Sequence, residues 1–424
     1  MIARDEAEFL ERCLDSVKAI VDEIIVVDTG SVDATKDIAV QFGAKIFDVE
    51  WADDFSVARN CALDQATGDW VLVLDADETI AESDHVRLRS LLSEGKADAY
   101  SLVQRTYGDN LKHAEYVSRG ADAYAESQAY AGWIPSRLVR LFRNDPDYRF
   151  RYRIHEVIEP SIEERGGVVC ASEIPIHHFT YEKNPDFIDS KLKRYLDYGL
   201  KQIEATPQDP KPYLEVALVY LEKKEFGKAE QILLKGVAVS PANADLYDAL
   251  GTLYLDTNRA AEAERVVRKG LSLRANDIAM LNKLASACLA RRAHDEAETL
   301  LMHARNLAPK SIMVHNNLGL LFAVTNRPLK AIDAFQNTLH LNPVNLYALT
   351  SLGMLYVNLG RFKNARPVLE RALEIEPADV RALYHLGVAY TRLKQKSRAI
   401  ELLKRAQRLQ PGDPAIADQL RALT

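Results

Sequence analysis

The residues best suited to chemistry are two carboxylates one position apart, Asp75 and Asp77, which are followed at once by Glu78. They come directly after the apolar run 70–74, a pattern typical of a buried strand. Two carboxylates at the end of such a strand form a compact oxygen-ligand site for a hard divalent cation, Mg²⁺ or Mn²⁺. The cation would neutralise the charge of a departing nucleoside diphosphate. Acidic pairs are common at strand ends, so the meaning of this pair depends on the segments that position it.

The segments upstream predict an alternating α/β domain. A β-branched run over residues 22–28 ends in Asp28-Thr29-Gly30-Ser31 and predicts a buried strand that passes into a turn. The pattern then predicts, in order, a helix at 34–42, a strand at 44–49, a helix at 56–66 and a strand from residue 70. Such alternation favours a mostly parallel sheet, whose ligands bind at the carboxyl ends of the strands. Asp28 and the Asp75/Asp77 pair both follow strands, so we expect them to face one pocket.

Residues 1–78 resemble the nucleotide-sugar half of inverting family 2 glycosyltransferases of the GT-A fold. Four motifs carry the resemblance in the right order: Met1-Ile2-Ala3-Arg4-Asp5-Glu6, Val26-Val27-Asp28-Thr29-Gly30-Ser31-Val32-Asp33, Phe55-Ser56-Val57-Ala58-Arg59-Asn60, and Gly68-Asp69-Trp70 leading to Asp75-Ala76-Asp77-Glu78. The subgroup that the chain looks like is bacterial and carries a C-terminal repeat domain. The family usually has Asn-Glu in place of Asp5-Glu6, and its first strand normally begins before the position of Met1. That strand is therefore expected to be truncated or very short.

The resemblance implies roles for individual residues. Asp28 would accept a hydrogen bond from the base of the donor nucleotide, and Arg59 would lie beside that base or its phosphates. Asp75 would face the ribose and the metal, while Asp77 would bind the metal directly. His178 matches a histidine that completes the metal shell near the end of many GT-A domains. Each residue also has a purely structural alternative: a turn or cap for Asp28, an acidic solvated loop for Asp75 and Asp77, a surface arginine for Arg59, and packing at the domain junction for His178.

Residues 100–181 are predicted to build the acceptor side. Residues 107–130 are polar and aperiodic, which predicts a mobile loop over the site. Residues 137–143 alternate charged and apolar side chains, so we expect a half-buried strand on which Arg137 neutralises diphosphate charge; a solvated basic face is the alternative. Inverting transfer needs a base that takes the acceptor's proton. Glu156 is the candidate because a His-Glu pair recurs at this place in the subgroup, and an ordinary strand-edge carboxylate is its alternative.

From residue 187 onward the chain becomes helical and then repeats with a period of 34. Three columns show the period: Pro207, Pro241, Pro309, Pro343, Pro377 and Pro411; Gly251, Gly319, Gly353 and Gly387, with Ala217 and Ala285; and Tyr220, Tyr254, Cys288, Phe322, Tyr356 and Tyr390. This is the tetratricopeptide (TPR) signature. We predict a catalytic domain at 1–185, a linker or capping helix at 186–206, and a solenoid of six repeats plus a capping helix at 207–424. The concave face of such a stack usually binds a peptide or protein, although a structural or dimerising role is an alternative.

Composition narrows the functional classes. A net charge of -7 and a pI near 5.9 argue against nucleic acid as a partner. The four cysteines lack paired or metal-ligating spacing, which favours a reducing compartment. No stretch approaches the roughly 20 apolar residues of a transmembrane helix, and the N-terminus has no signal-peptide core. We therefore predict a cytoplasmic protein, with peripheral membrane contact left open.

Together these observations predict an inverting glycosyltransferase that uses Mn²⁺ or Mg²⁺ and a nucleotide-sugar donor, such as a UDP-sugar. The solenoid predicts a peptide or protein acceptor, and its exposed surface is compatible with a homodimer. One alternative is the same chemistry on a lipid-linked or lipopolysaccharide core sugar. Another is a catalytically inactive TPR scaffold. A nucleotidyltransferase is disfavoured, because no Gly-rich basic phosphate loop stands near the N-terminus.

Overall fold

The computed structural model describes residues 1–93, 95–108, 116–120, 122–179 and 185–423, with side chains in the last range described from residue 192. Residues 109–115 and 121, which belong to the predicted loop 107–130, lie outside this part of the chain. The described residues form two compact units. The first comprises residues up to 225 except 116–118, and the second comprises 226–423 together with 116–118.

The first unit alternates helices and strands in its N-terminal third. The strands of the described chain are β1 (Ile2–Ala3), β2 (Ile25–Asp28), β3 (Lys45–Asp48), β4 (Trp70–Leu72), β5 (Glu78–Thr79), β6 (Ala99–Tyr107), β7 (Val117–Ser118), β8 (Gly132–Arg143) and β9 (Val169–His178). The helices of the first unit are α1 (Ala7–Val17), α2 (Thr35–Gln41), α3 (Phe55–Asp64), α4 (His85–Ser93), α5 (Glu159–Glu164), α6 (Pro185–Ala205) and α7 (Pro210–Glu222). Each helix and strand predicted between residues 22 and 74 is present, with ends that differ by a few residues.

Two sheets form the first unit. β1, β2 and β3 make a parallel sheet in that order, with Val27 opposite Ile2 on one side and Phe47 on the other. The second sheet has the order β4-β8-β6-β9-β5. In it β8 pairs antiparallel with β4 and β6, while β6 and β9 are parallel. The expectation of a mostly parallel sheet is therefore wrong beyond β3. The strict alternation of helix and strand on which it rested ends at β4.

The first strand is short and pairs only Ile2 and Ala3 with β2. The amino group of Met1 donates a hydrogen bond of 2.7 Å to the carbonyl oxygen of Ile25. α1 covers this sheet, because Leu10 and Leu14 of its buried face pack in one cluster with residues of β1 and β2. A cavity of about 440 Å³ lies beside β1 and is lined by residues that include Val71 of β4.

The second unit is helical and follows the 34-residue period. Its helices are α8 (Phe226–Val239), α9 (Ala244–Asp256), α10 (Ala260–Leu273), α11 (Ile278–Ala290), α12 (His294–Leu307), α13 (Ile312–Val324), α14 (Pro328–Leu341), α15 (Leu346–Asn358), α16 (Phe362–Ile375), α17 (Val380–Arg392), α18 (Lys396–Leu409) and α19 (Pro414–Arg421). The glycine column lies where helices approach closely: a Cβ at Gly353 would be 2.4 Å from the Leu369 side chain, and one at Gly387 would be 2.7 Å from Leu403. Only glycine allows that approach without displacing the neighbour.

A further column explains where the first helix of each repeat begins. The residue before it is an Asp, Asn or Ser in extended conformation: Asp209, Asn243, Asp277, Ser311, Asn345, Asp379, and Asp413 before the final helix. Except at Ser311, the side chain accepts a hydrogen bond from a backbone N–H of the first turn. Such caps satisfy donors that would otherwise lack a partner. Within the described residues, no helix is long and apolar enough to cross a membrane.

Candidate active site

Asp28 ends β2, and the turn that follows folds back onto its carboxylate. Its Oδ1 accepts hydrogen bonds of 2.9 Å from the backbone N–H groups of Gly30 and Ser31. Gly30 has φ of +107°, a conformation that glycine adopts far more readily than other residues. Burial alone would raise the pKa of Asp28, but hydrogen bonds from Ser31 and Gly30 and the charge of Lys36 hold that pKa below its usual value. In the described structure Oδ2 of Asp28 is buried and has no hydrogen-bond partner.

Asp75 lies just beyond β4 and is held by two arginines. Nη2 of Arg59 donates to Oδ1 at 2.6 Å, and Nη2 of Arg140 donates to Oδ2 at 3.0 Å. Both arginine side chains are more than 90% buried. Burial alone would raise the pKa of Asp75, but the two guanidinium groups hold it well below its usual value. The arrangement joins α3, the end of β4 and β8 in one charged cluster.

The cluster extends to Glu156 and Glu78. Nε of Arg59 donates to Oε1 of Glu156 at 2.5 Å, and Nη2 of Arg140 donates to Oε1 of Glu78 at 3.0 Å. Glu78 is fully buried, and its burial raises its pKa despite the charge of Arg140. Two N–H groups of this cluster, Nη1 of Arg59 and Nε of Arg140, are buried and lack a hydrogen-bond acceptor among the described residues. Buried donors of this kind suit an anionic ligand.

Asp77 and His178 are brought together by the pairing of β5 with β9, in which Glu78 lies opposite His178. Nε2 of His178 is 3.5 Å from Oδ2 of Asp77, and its Nδ1 is 3.1 Å from Oγ1 of Thr106. Burial would lower the pKa of His178, but the contact with Asp77 and the neighbouring carboxylates raises it. Both side chains are largely buried, and the pair offers one oxygen and one nitrogen ligand, a donor set that fits a divalent cation.

Both carboxylate oxygens of Asp75 are bound to arginine in the structure, and its role as a metal ligand stays a prediction. Over the part of the chain that the structure describes, no three His, Cys, Asp or Glu side chains are arranged to hold a metal ion. Asp77 and His178 are the side chains whose contact would hold a divalent cation, one through an oxygen and the other through a nitrogen.

Arg137 has other partners than the site residues named above. Its Nη1 donates to the carbonyl oxygen of Ser172 at 2.9 Å, and its Nη2 bonds to Glu173. The basic residue of β8 that reaches the cluster is Arg140. Across β6 and β8, Tyr100 lies opposite Leu141 while Ser101 lies opposite Val139, so Arg140 is the extra residue of a β-bulge. A bulge turns a side chain away from strict alternation, which is why the pattern over residues 137–143 did not identify Arg140.

The structure thus brings together Arg59, Asp75 and Glu156, all three selected from the sequence, and adds Arg140 and Glu78. It also brings Asp77 to His178. The only sequence signal for Arg140 was its place in a basic strand. The sequence shows Glu78 directly after the acidic pair, but it gives no sign that Glu78 is buried.

Comparison with known proteins identifies the N-terminal part of the chain. Residues 1–155 match the family model described as glycosyl transferase family 2. This region is a family 2 glycosyltransferase domain. Residues 244–277, 316–376 and 350–414 match models of the tetratricopeptide repeat. The predicted architecture, a GT-A-type α/β domain followed by a TPR solenoid, is confirmed.

Similar proteins include both named glycosyltransferases and a protein named only for its repeats. A TPR repeat-containing protein of Synechococcus elongatus is 43% identical over 191 residues, which cover 43% of this chain and 42% of that protein. The SPbeta prophage-derived glycosyltransferase SunS of Bacillus subtilis is 27% identical over 217 residues, covering 50% of this chain and 46% of SunS. An uncharacterized glycosyltransferase of Rickettsia felis is 35% identical over 104 residues, covering 24% of this chain and 36% of that protein.

The chain matches less than half the length of the first two of these relatives. Among solved structures, the APC/C hetero-tetramer Cut9-Hcn1 superposes with a TM-score of 0.51 at 16% identity, covering 55% of this chain and 46% of that one. This likeness supports the helical solenoid fold.

Proposed function

We propose that the protein is a metal-dependent, inverting glycosyltransferase that moves a sugar from a nucleotide-sugar donor to an acceptor. The observation that carries the proposal is a set of buried polar atoms without partners among the described residues: Oδ2 of Asp28, Nη1 of Arg59 and Nε of Arg140. One is an anionic acceptor and two are cationic donors. A nucleoside diphosphate offers the matching groups, because its base carries N–H donors and its phosphates carry anionic oxygens.

The reaction follows from these residues. The acceptor's nucleophilic atom attacks the anomeric carbon, and the bond from that carbon to the diphosphate oxygen breaks. The electron pair of this bond leaves with the nucleoside diphosphate, while the proton of the nucleophile passes to the carboxylate of Glu156. Arg59 orients Glu156 through its Nε and, with Arg140, stabilises the negative charge that develops on the diphosphate. A divalent cation bound to Asp77 and His178 would add Lewis-acid stabilisation of the same charge.

The first experiment measures the release of nucleoside diphosphate from a panel of nucleotide sugars with Mn²⁺ or Mg²⁺. For the donor that is hydrolysed, we expect Asp28→Asn to raise KM about 10- to 100-fold, since a hydrogen bond to a charged group contributes about 1.5–3 kcal/mol. The asparagine can keep an oxygen for the N–H groups of Gly30 and Ser31, but it places an amide where the unpartnered Oδ2 lies.

Asp37→Asn is the matched control, because Asp37 is exposed on α2 and makes the same change of charge. Its KM should equal that of the wild type. An Asp28→Asn variant with unchanged KM would show that Asp28 is a turn residue only. Absence of hydrolysis and of metal-dependent nucleotide binding across the panel would contradict the proposed function and favour the scaffold alternative.

We further propose that the acceptor is a peptide or protein recruited by the solenoid. Support comes from six helix–turn–helix segments along residues 210–409, since TPR stacks commonly bind peptides. We also propose a reducing, cytoplasmic setting, because the four cysteines are not spaced as a disulfide framework.

The acceptor class is tested with the full chain and a labelled donor, offered in parallel to protein and to lipid extracts of the same cells. We expect label in material that proteases degrade. Label confined to material that organic solvent extracts would instead assign the enzyme to lipid-linked sugars.

A further inference from the structure

The segment that carries Glu156 has a strained backbone. Tyr152 has φ of +78° and His155 has φ of +48°, values in a region that residues other than glycine seldom adopt. Such conformations persist only where surrounding contacts enforce them. One contact is internal: the backbone groups of Arg151 and Val157 bond to each other at 3.0 and 3.2 Å and close the loop. Another is the hydrogen bond of 2.9 Å from the N–H of Phe55 to the carbonyl oxygen of Arg153.

Lys211, in the first turn of α7, contacts both strained residues. Its Nζ donates a hydrogen bond of 2.7 Å to the carbonyl oxygen of His155 and lies 3.7 Å from the ring centroid of Tyr152. The Lys211 side chain is three-quarters buried, whereas His155, which accepts its hydrogen bond, is an exposed residue. Asp209 fixes the position of this turn, because its Oδ1 accepts from the N–H of Lys211 at 3.0 Å.

A buried carboxylate lies beside Lys211. Oε1 of Glu215 lies 3.5 Å from Nζ of Lys211, and the Glu215 side chain is only 8% exposed. α6 packs closely against α7 and the strained loop at Gly199. A Cβ at this position would lie 2.4 Å from Val216 of α7 and 3.8 Å from Ile154, the residue before His155. The ring of Tyr195 on α6 packs edge-on against the ring of His155 at 5.2 Å. Residues of α6 and α7 thus pack against the strained loop.

We propose that Lys211 is a positioning residue for the transfer reaction: it enforces the strained backbone at Tyr152 and His155, and so directs the next residue, Glu156, toward Arg59 and Asp75. The proposal rests on the proposed function, in which Glu156 is the base. In this proposal α7, the first helix of the TPR region, contributes to catalysis by positioning Glu156. The chain's division agrees, because α6 and α7 belong to the first compact unit, whereas the helices from α8 onward belong to the second.

The test compares the double variant Lys211→Met/Glu215→Gln with Glu215→Gln alone. Neutralising both groups avoids leaving Glu215 buried without its cation, a change that could unfold the protein for unrelated reasons. Glu215→Gln alone keeps the contact of Lys211 with His155. Lys283→Met is a remote control, because Lys283 is equally buried and paired to Asp248 at 2.6 Å in the solenoid. Lys211→Arg keeps a cation and a donor at the same place.

Two readouts are needed. The first is donor hydrolysis. We expect kcat of the double variant to fall about 10- to 100-fold, because Glu156 would be displaced from its productive position. The donor KM should stay within about twofold of the wild type. The second is amide hydrogen exchange in residues 150–158, which we expect to be about tenfold faster in the double variant, since an enforced loop opens when its support is removed. Glu215→Gln and Lys283→Met should match the wild type in both, and Lys211→Arg should recover most of the loss.

Each combination of the two results supports or contradicts a stated part of the proposal. Faster exchange with unchanged kcat would overturn the role of Lys211 in the reaction, and lower kcat with unchanged exchange would overturn its action through the loop. No change in either would overturn both. If the wild type hydrolyses no donor, the proposed function fails by itself, and the exchange measurement still decides whether Lys211 holds the loop.

Discussion

Glu156→Gln is expected to lower kcat for sugar transfer by about 10²- to 10⁴-fold, the range that a positioned general base contributes. The donor KM should stay within about twofold, because the amide oxygen of glutamine can still accept the hydrogen bond from Nε of Arg59. The substitution therefore removes the capacity to take a proton while keeping the contact that orients Arg59 toward Asp75. The measurement is steady-state transfer at saturating donor and acceptor.

Glu164→Gln provides the matched control for this substitution. Glu164 is on α5, close in sequence, and pairs with Arg151, but its side chain is 61% exposed. We expect wild-type kcat for it. If Glu156→Gln retained kcat within about threefold, far short of the loss of a general base, the role of Glu156 would reduce to holding Arg59. The base would then have to be sought elsewhere.

The order of helices and strands up to β4 could be predicted from the sequence because local signals mark each end. The β-branched run before Asp28 has the composition of a strand, and Gly30 permits the turn after it. The TPR solenoid could be predicted for a similar reason, since Gly353 and Gly387 repeat the same packing requirement at a fixed spacing.

The partners within the site could not be predicted in the same way. Asp75 was selected as a metal ligand, yet its environment is decided by Arg59, 16 positions upstream, and Arg140, 65 positions downstream. Arg140 reaches it only through a bulge that shifts the register of β8. Contacts of this kind depend on tertiary packing, and alternation of residue types along one strand carries no information about them.

The contribution of α7 could not be predicted either, for a different reason. The 34-residue period assigned Lys211 to the first repeat, and the period describes only what the repeats share. Lys211 contacts the strained loop at His155 because of where α7 lies in the first unit, which is particular to that helix. The 34-residue period therefore reveals the repeats but does not reveal a residue, such as Lys211, that has a role in one repeat only.

Asp77→Asn is expected to lower kcat about a thousandfold, since a bound cation contributes several kcal/mol of charge stabilisation and about 1.4 kcal/mol corresponds to a tenfold change. The asparagine preserves the shape beside His178 but removes the charge that would bind the cation. We expect the wild-type rate to rise with Mn²⁺ or Mg²⁺ and to fall with a chelator, whereas the residual rate of the variant should not respond to either. Asp37→Asn, which changes charge at an exposed position of α2, should respond like the wild type.

The metal response separates two ways of stabilising the departing diphosphate. Arg59 and Arg140 already place two buried cations beside Asp75, and each has an N–H group without an acceptor among the described residues. If the wild-type enzyme is active and its rate does not depend on metal, the two arginines alone stabilise the charge of the departing diphosphate. Asp77 would then serve only to hold His178. An Asp77→Asn variant that is still stimulated by metal would mean that the cation is bound elsewhere. If metal dependence is lost with Asp77, the cation and the two arginines together stabilise the charge of the departing diphosphate.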